Sequence, residues 1–162
     1  MADAIPTPVA NDQFVFATSG HREPALLAIK LGQSGDLSDS EAIAWRLRKS
    51  TPYVPTPLLY DNRLYFFASN NAVLSCHDAE SGKPLIEPTR IEGLQGVYAS
   101  PVGAGGNVYL VGRNGTSVVI KQADQLEVLA TNELDDRIDA SPAIAGNELY
   151  LRGHKYLYCI AE

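Results

Sequence analysis

The sequence predicts an all-β fold of four repeated sheets, and three observations lead to this prediction. A proline phrase recurs four times, a turn signal follows each copy, and a short apolar run follows each turn. The final prolines of the four phrases lie 49, 44 and 41 residues apart. A period of roughly 40 to 50 residues made of short strands is typical of β-propeller blades. The phrases are Ile5–Val9, Val54–Leu58, Tyr98–Val102 and Asp139–Ala143.

The second repeat shows the four strands of a blade most clearly. Turn signals at Asp61-Asn62, Ser69–Asn71 and Glu80–Lys83 divide it into apolar stretches of strand length. No stretch of the chain keeps apolar residues at helical spacing over three turns, so no helix is expected. The predicted strands of this repeat are Val54–Tyr60, Arg63–Ala68, Ala72–Asp78 and Pro84–Ile91.

The other repeats follow the same scheme, and the last one ends early. We expect a single propeller domain over residues 1–162, with repeats at about 5–52, 53–96, 97–137 and 138–162. The first repeat carries a longer loop before its fourth strand. The fourth repeat lacks that strand altogether. The predicted strands are Thr7–Ala10, Phe14–Thr18, Ala25–Leu31 and Ala42–Leu47 in the first repeat, Ala99–Ala104, Asn107–Gly112, Ser117–Gln122 and Glu127–Asn132 in the third, and Ala140–Ala145, Glu148–Arg152 and Tyr156–Ala161 in the fourth.

The missing fourth strand bears on how the ring closes. An uncovered sheet edge invites pairing with another strand. The segment Ala2–Ile5 is expected to supply that strand, either to its own chain in a ring of four blades or to a second chain in a ring of eight. Dimerisation is the easier geometry, because four blades lie at the small end of the known range. The chain could also be half of a longer one.

Composition restricts the partners. The net charge of -6 and the absence of a broad basic region exclude nucleic acid as an expected partner. No apolar run approaches the roughly 20 residues that a membrane span needs. The N-terminus has no basic region followed by an apolar stretch, so we expect no signal peptide in this chain. Two alternatives for the compartment stay open: the protein is cytosolic, or the sequence is a trimmed piece of an exported protein.

The two cysteines, Cys76 and Cys159, occupy matching positions in the second and fourth repeats. Equivalent positions two blades apart are too distant for a disulfide, which requires Cα atoms within about 7 Å. We expect both to be small buried hydrophobic residues.

The stretch Leu74–Leu85, with sequence LSCHDAESGKPL, carries a family resemblance. It resembles the phrase of the PQQ-like β-propeller family: an apolar pair, Ala, Leu, Asp, two variable residues, Thr, Gly and Lys. Trp45 is similar to the tryptophan that the family places on its outer strand, which implies that the indole packs between blades and docks onto the turn of its neighbour. The chain departs from the family in having one tryptophan, in lacking the Thr-Gly or Ser-Gly turn in its last two repeats, and in holding about half of a usual ring.

The resemblance implies two kinds of function. Such blades occur in quinoprotein dehydrogenases and in outer-membrane assembly lipoproteins, which are often periplasmic or secreted. A dehydrogenase would need PQQ, calcium and a catalytic Asp, for which Asp135, Asp136 and Asp139 are the candidates. For Asp135-Asp136-Arg137, a solvated loop with a local ion pair is the simpler explanation. We therefore predict no catalytic residue, metal site or cofactor, and PQQ with calcium only under the alternative of a dehydrogenase fragment.

The candidate ligand site lies where the inner strands begin. Aromatic and charged residues there would line the channel mouth and could hold a small ligand or a protein segment. Packing of the tyrosine rings between blades is the open alternative. We expect a non-enzymatic scaffold or binding module. The candidate binding residues are Tyr53, Tyr98, Arg137 and Asp139, and the residues predicted to pack blades together are Trp45, Pro57, Pro101 and Pro142.

Overall fold

The computed structural model describes residues 4–161, which contain fifteen β-strands and no helix. All strand pairs are antiparallel and follow chain order within each sheet. The first three sheets have four strands each and the last has three. The strands are β1 (Val9–Ala10), β2 (Phe14–Ser19), β3 (Ala25–Lys30), β4 (Ile43–Leu47), β5 (Leu58–Tyr60), β6 (Arg63–Phe67), β7 (Val73–Asp78), β8 (Pro84–Arg90), β9 (Val102–Ala104), β10 (Asn107–Val111), β11 (Thr116–Lys121), β12 (Val128–Glu133), β13 (Ala143–Ala145), β14 (Glu148–Arg152) and β15 (Leu157–Ala161).

These sheets are the blades of a β-propeller portion, as the repeat predicts, and we number them blade 1 to blade 4. The inner strands are shorter than predicted: β5 begins at Leu58 rather than Val54. Pro55 and Pro57 lack the N–H group that a strand pairing requires, so the ladder starts after them. No helix in the described part of the chain is long and apolar enough to cross a membrane.

Turn residues set the inner hairpins. Asp61 and Asn62 join β5 to β6 with positive φ angles of 48° and 58°. Two consecutive positive φ values are the requirement of the tight turn that matches strand twist, and Asn and Asp adopt them more readily than most residues. Gly105 and Gly106 occupy the equivalent turn of blade 3, with φ angles of 58° and 77°.

Blades 2 and 3 each bury one face against the blade before and the other against the blade after, whereas blades 1 and 4 each have one neighbouring blade within residues 4–161. The apolar core accordingly divides into three clusters, one at each junction between successive blades. Phe16 and Phe66 belong to the first, Cys76 and Leu110 to the second, and Val111 and Leu151 to the third. Among residues 4–161, no hydrogen bond and no core cluster joins blade 4 to blade 1, and the sheets form an open arc.

The predicted closing strand lies mostly outside the described residues. Of the segment Ala2–Ile5, only Ala4 and Ile5 are described, and neither belongs to a strand. The edge of β15 opposite β14 pairs with no strand within residues 4–161.

The proline phrase has a structural role that its recurrence did not reveal. In blades 2 to 4 the hydroxyl of the residue before the phrase proline accepts a hydrogen bond from the backbone N–H of the equivalent residue one blade earlier. The N–H of Thr7 donates to Thr56 Oγ1 at 3.1 Å, that of Thr56 to Ser100 Oγ at 2.9 Å, and that of Ser100 to Ser141 Oγ at 2.9 Å. We call this series the hydroxyl relay. It links the segments that lead into the four inner strands.

The phrase prolines differ in burial according to position in the arc. Pro57, Pro101 and Pro142 are buried, whereas the equivalent Pro8 is exposed. Pro142 faces blade 3, beside Tyr109. Pro142 therefore lies against the preceding blade, whereas no blade within residues 4–161 precedes Pro8.

Trp45 on β4 contacts the neighbouring blade. Its indole Nε1 donates to the carbonyl of Ala79 at 3.0 Å, and its ring lies 5.8 Å from that of Phe16. A Cβ atom on Gly82, which has a φ of +69°, would lie only 2.6 Å from the indole. Glycine at position 82 thus provides both the turn conformation and the surface on which the indole rests.

The prediction for the cysteines is right for Cys76 and wrong for Cys159. Cys76 is buried at the second junction, and burial raises the pKa of its thiol to about 12. Cys159 occupies the matching place in blade 4 and is exposed, because no blade covers that face.

Candidate functional site

One end of the blades carries all the predicted binding residues. Antiparallel alternation brings the loops after β2, β6, β10 and β14 to the same end as the segments that lead into the inner strands. We call this end the loop face. It is defined by His21, Tyr53, Tyr98, Arg113, Arg137, Asp139 and His154.

Tyr53 lies at the junction of the first two blades. Its ring centroid is 5.3 Å from that of His21, with the planes inclined at 31°. Pro52, directly before it, forms a bridge with Ser69 of the next loop. This backbone anchor holds the half-buried Tyr53 at the loop face.

Tyr98 lies one junction further along and supports a cation. The guanidinium carbon of Arg113 is 4.0 Å from the centre of the Tyr98 ring, a distance at which the ring face attracts a cation. The Nε of the same guanidinium donates to Asp139 Oδ1 at 2.6 Å. Arg113 therefore connects the tyrosine of one blade to the carboxylate of the next.

Asp139 is the centre of an ion-pair cluster. Arg137 Nη2 lies 2.8 Å from Asp139 Oδ2, and His154 Nε2 lies 3.4 Å from the same oxygen. The carboxylate is about one-third exposed, whereas the side chains of Arg137 and His154 are about half exposed. Asp139 thereby fixes three potential cations while leaving the outer sides of two of them in solvent.

Asp136 corrects the expectation of a solvated acidic loop. Its side chain is buried and accepts hydrogen bonds from the N–H groups of His154, Lys155 and Tyr156 and from the hydroxyl of Tyr158. Burial alone would raise the pKa of this carboxyl group, but the hydrogen bonds outweigh it and hold the pKa below the ordinary value. Asp136 anchors the β14–β15 loop and is unavailable to a ligand.

The cluster borders a depression of about 370 Å³. Its walls include Arg113, Leu134, Arg137, His154 and Lys155. The Nζ of Lys155 pairs with the exposed Asp135 at 3.3 Å and is itself about half exposed. Within residues 4–161, no group of three His, Cys, Asp or Glu side chains is arranged to hold a metal ion. Asp135 and Asp136 also line the depression, and its arginine, lysine and histidine side chains supply hydrogen-bond donors.

The structure brings three of the four predicted residues into one cluster. Arg137 and Asp139 are in contact, and Tyr98 joins them through Arg113; Tyr53 lies apart, against His21. Sequence reasoning missed Arg113 and the contact of His154 with Asp139. The signal available was position: Arg113 occupies, in the third repeat, the loop that holds His21 in the first and His154 in the fourth.

Comparison with known proteins supports the fold. No family model matches the sequence, and no curated protein matches it. The chain is similar in structure to the computationally designed propeller Ika4, with a TM-score of 0.71 and 12% identity over 99% of this chain and 92% of that one. It is also similar to the designed Ika8 protein, with a TM-score of 0.65 and 10% identity over 96% of this chain and 45% of that one.

A natural enzyme has the same fold over part of its length. The quinohemoprotein alcohol dehydrogenase ADHIIG from Pseudomonas putida HK5 matches with a TM-score of 0.64 and 12% identity, over 92% of this chain and 28% of that one. The chain thus spans less than half of Ika8 and less than a third of the dehydrogenase. At this level of identity the likeness establishes that the chain has a β-propeller fold.

Proposed function

We propose that the chain is a non-enzymatic binding module whose loop face takes a carboxylate-bearing segment of another protein. The observation that carries this proposal is the cluster of Arg113, Arg137 and His154 around Asp139, at the edge of an open depression. The fold supports the proposal only in general terms, since propeller loops at one end of the blades converge on a common surface.

The cluster has N–H donors available for a second carboxylate, and its side chains are already held in place. A guanidinium group has five N–H donors in a planar fork. Asp139 engages Arg137 through Nη2 at 2.8 Å and through Nε at 3.4 Å, so the N–H donors of Nη1 stay available. Since Asp139 already holds the side chain in place, binding costs less conformational entropy than it would with a freely moving arginine.

Tyr98 adds an apolar contact beside the charges. Its ring is more than one-third exposed while its face supports Arg113. Aromatic and arginine side chains are the residue types that contribute most to protein recognition. An acidic segment with a neighbouring aromatic or aliphatic side chain therefore fits both parts of the surface.

An NMR titration of the isotope-labelled chain tests the proposal. The probe is an acetylated, amidated pentapeptide with two aspartates flanking a tyrosine, and the control peptide has lysines in place of the aspartates. We expect the acidic peptide to shift signals of Tyr98, Arg137 and His154 and the basic peptide to shift none of them. Equal responses to both peptides, or no response to the acidic one, would overturn the proposal.

A pair of arginine variants locates the effect. Arg137→Ala should weaken binding of the acidic peptide by at least about tenfold, because a hydrogen bond to a charged group contributes about 1.5 to 3 kcal/mol. Arg63→Ala is the matched control: Arg63 pairs with Asp124 at 2.6 Å at the opposite end of the blades. Weakening by both variants to the same extent would show attraction to charge in general.

The alternative of a quinoprotein dehydrogenase fragment stays a prediction with its own test. Its distinguishing feature is a retained quinone chromophore after incubation with PQQ and calcium followed by gel filtration. Retention at one equivalent per chain would support that alternative, and its absence would contradict it for this chain.

A further inference from the structure

The arc has two open ends. At the first, the outward face of blade 1 carries apolar residues that no blade within residues 4–161 covers. Phe16 and Leu26 point toward blade 2 and are buried. The alternate residues on the same strands, Val15 and Leu27, point the other way and are partly exposed. Pro8, on this side, is exposed although its three counterparts are buried. The outward face of blade 1 therefore lacks the preceding blade that every other blade has.

At the other open end, the outward face of blade 4 lacks a following blade. Leu157 and Cys159 correspond in strand register to Leu74 and Cys76 of blade 2. Leu74 is fully buried, whereas Leu157 is 69% exposed. Exposed leucine in a strand that elsewhere forms a blade junction marks a surface that needs a following blade.

Tyr150 points to the same conclusion through its hydroxyl. Its counterpart Tyr65 reaches across the junction, where its hydroxyl contacts both the N–H and the carbonyl of Ala123 at 3.2 Å. In blade 4 the Tyr150 hydroxyl instead donates to Glu148 of its own strand at 2.6 Å. The tyrosine hydroxyl thus bonds to the following blade in blade 2, whereas in the terminal blade 4 it bonds within its own strand.

The hydroxyl relay ends in two matching halves of one hydrogen bond. Within residues 4–161, Thr7 Oγ1 accepts no hydrogen bond and the N–H of Ser141 donates none. An N–H of the Ser141 type and a hydroxyl of the Thr7 type form each interior step of the relay. The two ends of the arc are thus complementary in hydrogen bonding as well as in apolar surface.

We infer that a second copy of this chain covers both ends, closing a ring of eight blades. Blade 4 of each copy packs on blade 1 of the other, and the Ser141 N–H of each donates to Thr7 Oγ1 of its partner. Both contacts are head-to-tail, and a two-fold axis makes them identical and closes the ring. The occupant is a second copy because each end already carries the half that fits the other. Blade 1 and blade 4 of one chain share no contact cluster in residues 4–161 that would close a ring of four.

Light scattering across a concentration series tests this inference. The expected mass is about 35 kDa, twice the 17.5 kDa of one chain, with a limiting value that does not rise further as concentration increases. A mass of 17.5 kDa throughout would overturn it and favour a monomer or one half of a longer chain. A mass that keeps rising would show open filaments and would also overturn the closed ring.

Two matched variants show which surface forms the dimer. Leu157→Glu places a charge on the open face of blade 4 and is expected to give a mass of 17.5 kDa with an unchanged β-sheet circular dichroism spectrum. Val128→Glu is the control, because Val128 is also exposed, on β12, and pairs with Ile120 on the side that faces blade 2. A dimer that survives Leu157→Glu but not Val128→Glu would overturn the proposed junction.

Thiol labelling gives an independent readout in the unmodified chain. Cys159 lies on the face that the second copy covers, so it should react with an aromatic disulfide reagent slowly in the dimer. In the monomeric Leu157→Glu variant it should react at least tenfold faster, while Cys76 stays unreactive in both. Equal Cys159 rates in both proteins would contradict the inference.

Discussion

Blades 2 and 4 are built on the same pattern but bury very different amounts of it. Leu74, Cys76 and Tyr65 of blade 2 are fully buried. In blade 4, Leu157 and Cys159 are exposed and Tyr150 is partly exposed. The two sheets have the same register, so the difference lies in their surroundings. In a repeat protein, the burial of a residue depends on whether a neighbouring unit packs against it. A sequence pattern shows only which residues are apolar enough to be buried at such a junction.

The largest effect is expected at the first junction, from Trp45→Ala. The variant removes the indole from Phe16 and Gly82 and its hydrogen bond to Ala79, and it should lower the free energy of unfolding by about 3 kcal/mol. Denaturant unfolding measures it. Trp45→Phe is the control, since it keeps an aromatic ring but loses the hydrogen bond, and about 1 kcal/mol should be lost. A loss below 1 kcal/mol for Trp45→Ala would contradict the docked role.

The next effect compares the two leucines directly. Leu74→Ala should destabilise by about 2 to 3 kcal/mol because it leaves a cavity at a filled junction. In dilute solution Leu157→Ala should cost less than about 1 kcal/mol, because its side chain is mostly in water already. The gap should narrow at higher protein concentration if a second copy covers Leu157. A gap that is absent at every concentration would contradict the contrast between the two blades.

A smaller effect tests the hydroxyl relay. Thr56→Val keeps the shape of the side chain but removes the acceptor for the Thr7 N–H, so about 1 kcal/mol of stability should be lost. Thr7→Val is the matched control, because the Thr7 hydroxyl accepts nothing within residues 4–161 of a single chain. Calorimetric melting in dilute solution distinguishes the two. Equal losses for both variants would show that the valine itself, rather than the missing acceptor, is responsible.

The smallest expected effect is a pH dependence that arises at Asp136. Its pKa is lower in the folded state than the ordinary 3.8. At this carboxyl group the folded state therefore binds fewer protons than the unfolded state does. Its contribution to stability is therefore complete above about pH 5 and is lost as the pH falls through the lowered pKa. Asp136→Asn should flatten the fall in unfolding free energy between about pH 5 and pH 3. The fall should not vanish, since hydrogen bonds from Ser38 and Ser81 also lower the pKa values of Asp36 and Asp78. An unaltered slope would mean that Asp136 does not contribute.

The fold could be predicted because strand pattern and turn chemistry are local. Asp61-Asn62 and Gly105-Gly106 mark hairpins that the structure contains, and the recurring prolines mark where the blades begin. The exposure of Cys159 could not be predicted, since its local sequence is that of a buried strand. The sequence pattern alone does not show whether a neighbouring blade covers that strand.

The candidate site could be predicted only in part, for a related reason. Tyr98, Arg137 and Asp139 were expected near the channel mouth from their places relative to the inner strands. Their connection depends on Arg113, which comes from a different loop and lies 26 residues from Asp139 in sequence. The burial of Asp136 likewise depends on three N–H groups from a loop about 20 residues later. Such convergence follows from blade packing and leaves no local signature.

The direction of the hydroxyl relay has a consequence for how the gene could be rearranged. Every step runs from the N–H of one blade to the hydroxyl of the next. Each of these hydrogen bonds therefore requires that two blades be neighbours, and it does not depend on where in the chain the two blades occur. A circular permutant that begins at the second blade would keep every interior step except the one at the new break. A tandem duplication of the whole coding sequence would place a Ser141-to-Thr7 step inside one polypeptide, so that the eight-bladed ring proposed above would close by the folding of a single chain.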